Sequence, residues 1–74
     1  MAICVRTGKL AKPLPVKRLG KEEYKALDVG TEVRYYRNPV DAGQFVVEQC
    51  EANRTNYWYA RIAAIQVPDF IQGA

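Results

Sequence analysis

Val33-Arg34-Tyr35-Tyr36-Arg37, then Asn38-Pro39-Val40-Asp41-Ala42-Gly43, then Gln44-Phe45-Val46-Val47: this run decides the fold, because it reads as strand, turn and strand. In an extended chain alternate side chains share a face, so Val33 and Tyr35 point one way and Arg34 and Tyr36 the other. Pro39 fixes its own φ and has no N–H for a ladder, and Gly43 permits a positive φ, so the six residues between the strands form a turn. Gln44 to Ala52 continues as a strand, Asn53-Arg54-Thr55-Asn56 turns it, and Tyr57 to Ile65 returns. On the return strand Trp58, Ala60, Ile62 and Ala64 share one face, and Tyr57, Tyr59, Arg61, Ala63 and Ile65 the other. The three strands are expected to form an antiparallel meander, with Trp58 and Tyr35 in the core and Tyr36, Tyr57 and Tyr59 at the surface.

Upstream, Met1 to Thr7 reads as a short strand broken by Gly8. Lys9 to Gly20 carries Pro13, Pro15 and four cations without a regular period, which predicts an extended arm. Between Gly20 and Asp28, Glu22 and Glu23 precede Tyr24 and Leu27 at a helical spacing of three, which predicts one or two helical turns ended by Gly30. Downstream, Pro68 stops the last strand, Asp69 and Phe70 suit a 3₁₀ turn, and Ile71 is placed to add one more pairing residue. Residues 1–26 thus read as an N-terminal strand, a basic proline-containing arm and a helical turn, and residues 27–74 as a β-barrel core. The expected fold is mainly β: a small five-stranded antiparallel barrel with a basic N-terminal extension and at most one short helix, since an open sheet this short leaves unpaired edges.

Between Leu27 and Ile71 the sequence resembles a Src-homology-3-like barrel. Leu27-Asp28-Val29-Gly30-Thr31-Glu32-Val33 resembles that family's entry into a strand after a Gly-polar pair, and Val67-Pro68-Asp69-Phe70-Ile71 resembles its closing run. Tyr57-Trp58-Tyr59-Ala60-Arg61-Ile62 is similar to the Trp-Tyr-x-Ala-x-aliphatic strand of Tudor-type barrels. The Ala-Leu-Tyr-Asp-Tyr strand and acidic loop of the peptide-binding members have no counterpart, and Phe45 stands where their groove Trp begins the third strand. The resemblance therefore implies a fold more than a ligand. A narrower similarity, to the tetrameric type II dihydrofolate reductases, rests on the spacing of Gly30, Gly43 and Cys50. Ile65-Gln66-Val67-Pro68 is also similar to their Val-Gln-Ile-Tyr-Pro strand without its Tyr.

The 74 residues suffice for one domain, and 49 % hydrophobic with 26 % charged is far from the composition of a disordered chain. Histidine is absent, which removes Ser-His-Asp and Cys-His catalysis and His-ligated metal sites; Cys4 and Cys50 alone cannot complete a four-ligand zinc site. No pair of carboxylates has a spacing suited to shared acid–base work, and the glycines form no phosphate-cradling loop. The protein is expected to be a non-enzyme without metal or cofactor. Neither a signal peptide nor a long apolar run is visible, so a cytoplasmic protein with free thiols and no membrane partner is expected.

Charge is uneven. Residues 1–27 carry seven Lys and Arg against two Glu, and residues 28–74 carry four against six acids, although the whole chain is +3. The richest constellation interleaves Tyr36, Tyr57 and Tyr59 with Arg34, Arg37, Arg54 and Arg61, joined by Lys17 and Arg18 of the arm. Rings can stack on bases while guanidinium and ammonium groups hold phosphates, which makes nucleic-acid backbone binding the preferred reading. The alternative uses the same face for an acidic protein surface or a second copy of the chain, as an adaptor, inhibitor or assembly subunit. A small basic chain of this kind suits a phage or mobile element.

Overall fold

Six strands form one antiparallel sheet in the computed structural model, which describes residues 5–49 and 57–73. They are β1 (Arg6–Lys9), β2 (Leu14–Arg18), β3 (Tyr24–Leu27), β4 (Glu32–Arg37), β5 (Gln44–Gln49) and β6 (Trp58–Ala63). The order across the sheet is β1-β4-β5-β6-β2-β3. The expected β4-β5-β6 meander is present, with Tyr35 opposite Val47 and Val47 opposite Ala60. Cys4, Cys50, Arg54 and the turn expected over 53–56 lie outside the described residues.

The leader departs from expectation. Residues 14–18, read as an arm, form β2, because Leu14 and Val16 alternate into the core at 2 % and 1 % exposure with Pro15 outside between them. Pro15 is tolerated because its missing N–H falls on the β6 side of β2, where the described pairing is confined to Lys17–Tyr59 and Arg18–Trp58. The residues read as helical turns form β3, with Leu27 buried opposite Leu14 and Tyr24 exposed opposite Lys17. A hairpin through Gly20, at φ 75°, joins the two strands. The division drawn between residues 26 and 27 falls inside β3, and both segments contribute to one core.

The fold is mainly β, antiparallel and with one short helix, as expected; the strands number six rather than five, and the sheet does not close. β1 lies at one end and β3 at the other, and they do not pair. The far side of β1 is occupied instead by the C-terminal segment, through a bridge between Leu10 and Ile71. The expected pairing by Ile71 is thus present. The segment before it runs as a 3₁₀ turn, Ala64–Gln66, and a single helical turn α1, Val67–Phe70, with Pro68 in its first turn where a missing N–H costs nothing. The stretch similar to the reductase strand, Ile65 to Pro68, is therefore helical here.

The core gathers Leu10, Leu14, Val16, Leu27, Val33, Tyr35, Val47, Ile62, Val67 and Ile71, with Phe45, Trp58, Ala60 and Phe70 half-buried against it. Trp58 is covered from outside by the Lys25 ammonium, 4.4 Å from the ring centroid. Gly8 is required for close approach, since a Cβ there would stand 2.8 Å from Ile71 Cγ2. Gly30 occupies φ 85° in the turn before β4. Gly43 does not use the positive φ open to it; the 38–43 turn is held by Asn38 Oδ1 accepting from Val40 N–H and Asp41 Oδ1 accepting from Gly43 N–H, each at 3.0 Å.

Candidate functional site

The face of the sheet opposite the core carries the constellation singled out in the sequence, and the register shows how it is assembled. One row runs Thr7, Arg34, Glu48, Tyr59, Lys17, Tyr24 across all six strands. The next row places Tyr36, Val46 and Arg61 side by side on β4, β5 and β6. Tyr57, just before β6, shares the face of Tyr59 and Arg61 by alternation, and its carbonyl accepts from Leu19 N–H at 3.1 Å.

These side chains enclose an open depression of about 260 Å³ lined by Leu19, Tyr36, Val46, Tyr57, Tyr59 and Arg61. Tyr57 and Tyr59 lie with ring centroids 6.1 Å apart and planes tilted by 32°. The Arg61 guanidinium stands 6.0 Å from the Tyr59 centroid, within the reach of a cation–π contact. A second depression of about 360 Å³ continues towards β3, lined by Pro15, Val16, Lys17, Tyr24, Tyr59, Ala60 and Arg61. Tyr59 and Arg61 line both, so they form the central ridge of the face.

Glu48 was not among the sequence-predicted site residues, and it organises this surface. It lies in an outward-facing position yet is only 6 % exposed. A buried carboxylate requires compensation. Arg34 Nη2 supplies it at 3.6 Å from Glu48 Oε1, and the Tyr57 hydroxyl donates to the same carboxylate. The Tyr57 hydroxyl also bonds the Tyr36 hydroxyl. Partial burial, then the hydrogen bond and negative charge of Glu48, then Tyr36, raise the Tyr57 phenol far above its ordinary value of 10.0. Tyr57 is consequently a neutral, fixed donor at any physiological pH. The only sequence signal for this was parity: Glu48 alternates with Val47 on a strand whose neighbours on the same face are Tyr and Arg.

The structure separates the other expected contacts. Tyr36, Tyr57, Tyr59 and Arg61 come together at the first depression, and Lys17 lines the second. Lys17 Nζ lies 3.6 Å from the exposed Glu22 carboxylate. Arg34 is on this face but committed to Glu48. Arg37 is on the opposite face, opposite Phe45, where its guanidinium stands over that ring and donates to the Ala42 carbonyl. Arg18 likewise shares the face of Trp58 and donates to Glu23 at 3.2 Å. For both arginines the cause is strand parity: a residue one position from Tyr36 or Lys17 must point the other way.

Among the described residues no group of three His, Cys, Asp or Glu side chains is placed to hold a metal ion, and no helix is long and apolar enough to cross a membrane. Comparison with protein-family models, curated proteins and solved structures finds no match.

Proposed function

We propose that this chain is a non-catalytic, Src-homology-3-like binding module whose Tyr57/Tyr59/Arg61 face docks a protein segment bearing an apolar anchor next to an acidic side chain. One observation carries this reading. The first depression is lined by three tyrosines, two aliphatic side chains and a single cation, Arg61, which has no acidic partner among the described residues. Tyrosine and arginine around an apolar depression are the side chains that dominate protein interfaces, because they bury much surface at small entropic cost and retain a polar tip. The Glu48 network holds Tyr57 in place before any partner arrives, which lowers the ordering cost of binding.

Nucleic-acid backbone binding is the weaker reading because the cations it needs are dispersed. Arg18 and Arg37 occupy the other face, Arg34 is neutralised by Glu48, and the leader is strand rather than a free arm. A row of phosphates requires a row of available cations, and among the described residues this face offers Arg61 with a partly engaged Lys17.

Selection of a random peptide library on the wild-type protein, counter-selected on Tyr59→Ala and Arg61→Glu variants, tests the proposal. Peptides with an aromatic or aliphatic residue beside Asp or Glu are expected. Failure to enrich any sequence over the variants contradicts it. A single-stranded oligo-dT probe forms the second arm: binding that weakens steeply with salt and is lost in Arg61→Glu would transfer the face to nucleic acid.

A further inference from the structure

The two ends of the sheet differ in a way that the docking face does not explain. At β1 the C-terminal segment covers the Lys9 end of the outer edge: Ala11 N–H donates to the Phe70 carbonyl at 2.7 Å and Gln72 N–H donates to the Lys9 carbonyl at 2.8 Å. At β3 nothing pairs with the outer edge among the described residues. Exposed edges are ordinarily blunted by proline, a bulge or an outward lysine. β3 contains no proline, and its one lysine, Lys25, turns its ammonium over the Trp58 ring instead of guarding the edge.

The open main-chain groups can be named. Arg18 N–H donates to the Glu23 carbonyl at 3.0 Å, and Val16–Lys25 and Leu14–Leu27 follow in the same register. Antiparallel ladders alternate, so Glu23, Lys25 and Leu27 direct their backbone groups to β2, and Tyr24 and Ala26 direct theirs outward. We infer that β3 is a self-association edge, at which a second copy of this chain adds its own β3 antiparallel about a two-fold axis through Tyr24.

Charge selects that register. Pairing must oppose outward-directed residues, which leaves two-fold axes centred on Glu23, Tyr24, Lys25 or Ala26. Centring on Glu23 sets Glu23 against its own symmetry mate and Lys21 against Lys25; centring on Lys25 sets two lysines together. Centring on Ala26 opposes Lys25 with Leu27 and gains no ion pair. Only the axis at Tyr24 sets Glu23, which also accepts from Arg18 of its own chain, opposite Lys25 of the other copy, twice, with no like charges opposed. Tyr24 then exchanges both hydrogen bonds with its symmetry mate, and Ala26 does so with Glu22. The axis runs through the sheet, so both tyrosine faces lie on one side of the doubled sheet.

The inference does not depend on the docking proposal, and its test reads a different variable. Sedimentation velocity over a concentration series up to about 1 mM suits a short, weak interface. The wild type is expected to pass from 8.4 kDa to twice that mass. Ala26→Pro removes only an outward N–H, so it is expected to keep the circular dichroism of the wild type and remain monomeric. Lys25→Glu, which sets two carboxylates opposite each other across the axis, is expected to weaken the dimer roughly tenfold. A wild type that is monomeric throughout overturns the inference, and so does a dimer that survives Ala26→Pro and Lys25→Glu unchanged.

Discussion

The two faces of the β4-β5-β6 meander are built from alternate residues of the same strands, yet they are buried by different physics. On one face Val33, Tyr35, Val47 and Ile62 close-pack with Leu10 and Ile71 and leave little polar surface. On the other, Glu48 is buried nearly as deeply by Arg34, Tyr57 and Tyr36, and the rings around it remain half-open. The first face supplies most of the stability; the second gives up apolar packing for a fixed arrangement of hydroxyls and a guanidinium. The contrast teaches that alternation in a sequence marks a core face reliably, and that an aromatic outer face becomes a shaped site only when a buried polar group holds it.

Substitutions sharpen the contrast, beginning with the largest effect. Ile71→Ala on the fully buried side is expected to cost about 2–5 kcal/mol, read as a lowered urea midpoint, which is a large part of the stability of so small a domain. Gly8→Ala is expected to cost about 1–3 kcal/mol in the same measurement, because its Cβ must displace Ile71 or Tyr35. Arg34→Ala deprives a buried carboxylate of its cation but leaves the Tyr57 donor, so a loss of about 1–2 kcal/mol is expected. Tyr59→Ala, on the half-exposed ridge, is expected to reduce partner binding at least tenfold while shifting the midpoint least of the four.

The pH dependence of unfolding separates the faces differently. The folded-state Tyr57 phenol titrates above its unfolded value of 10.0, so its contribution is fully present below pH 10 and falls as pH rises beyond it. Wild-type stability should therefore decline more steeply above pH 10 than that of Tyr57→Phe. Equal alkaline slopes would mean that Tyr57 is not held by Glu48.

How much of this was legible in the sequence follows from which residues carry an alternating signal. Val33/Tyr35 against Arg34/Tyr36, the Asn38–Gly43 turn and Ile71 as a pairing residue were readable, because each rests on parity or on turn chemistry. Leu14-Pro15-Val16 was not, since proline punctuation concealed a two-residue alternation that tertiary packing exploits. Tyr24 and Leu27 fit a helical spacing by coincidence; only the burial of Leu27 against Leu14 distinguishes a strand. Grouping Arg18 and Arg37 with the tyrosines ignored the parity that turns them to the other face. Glu48 is not legible, because a lone acid beside Gln49 reads as solvated until its neighbours across β4 and β6 are known.

The central claim is that the Tyr57/Tyr59/Arg61 face is where this protein meets its partner. It is tested most directly by recording amide chemical shifts of the isotope-labelled chain during titration with a peptide recovered from the wild-type selection. Saturable shifts concentrated at Tyr36, Val46, Tyr57, Tyr59 and Arg61, and abolished by Arg61→Glu, are the expected result. Shifts confined to β1, α1 or the core-side residues, with that face undisturbed, would contradict it.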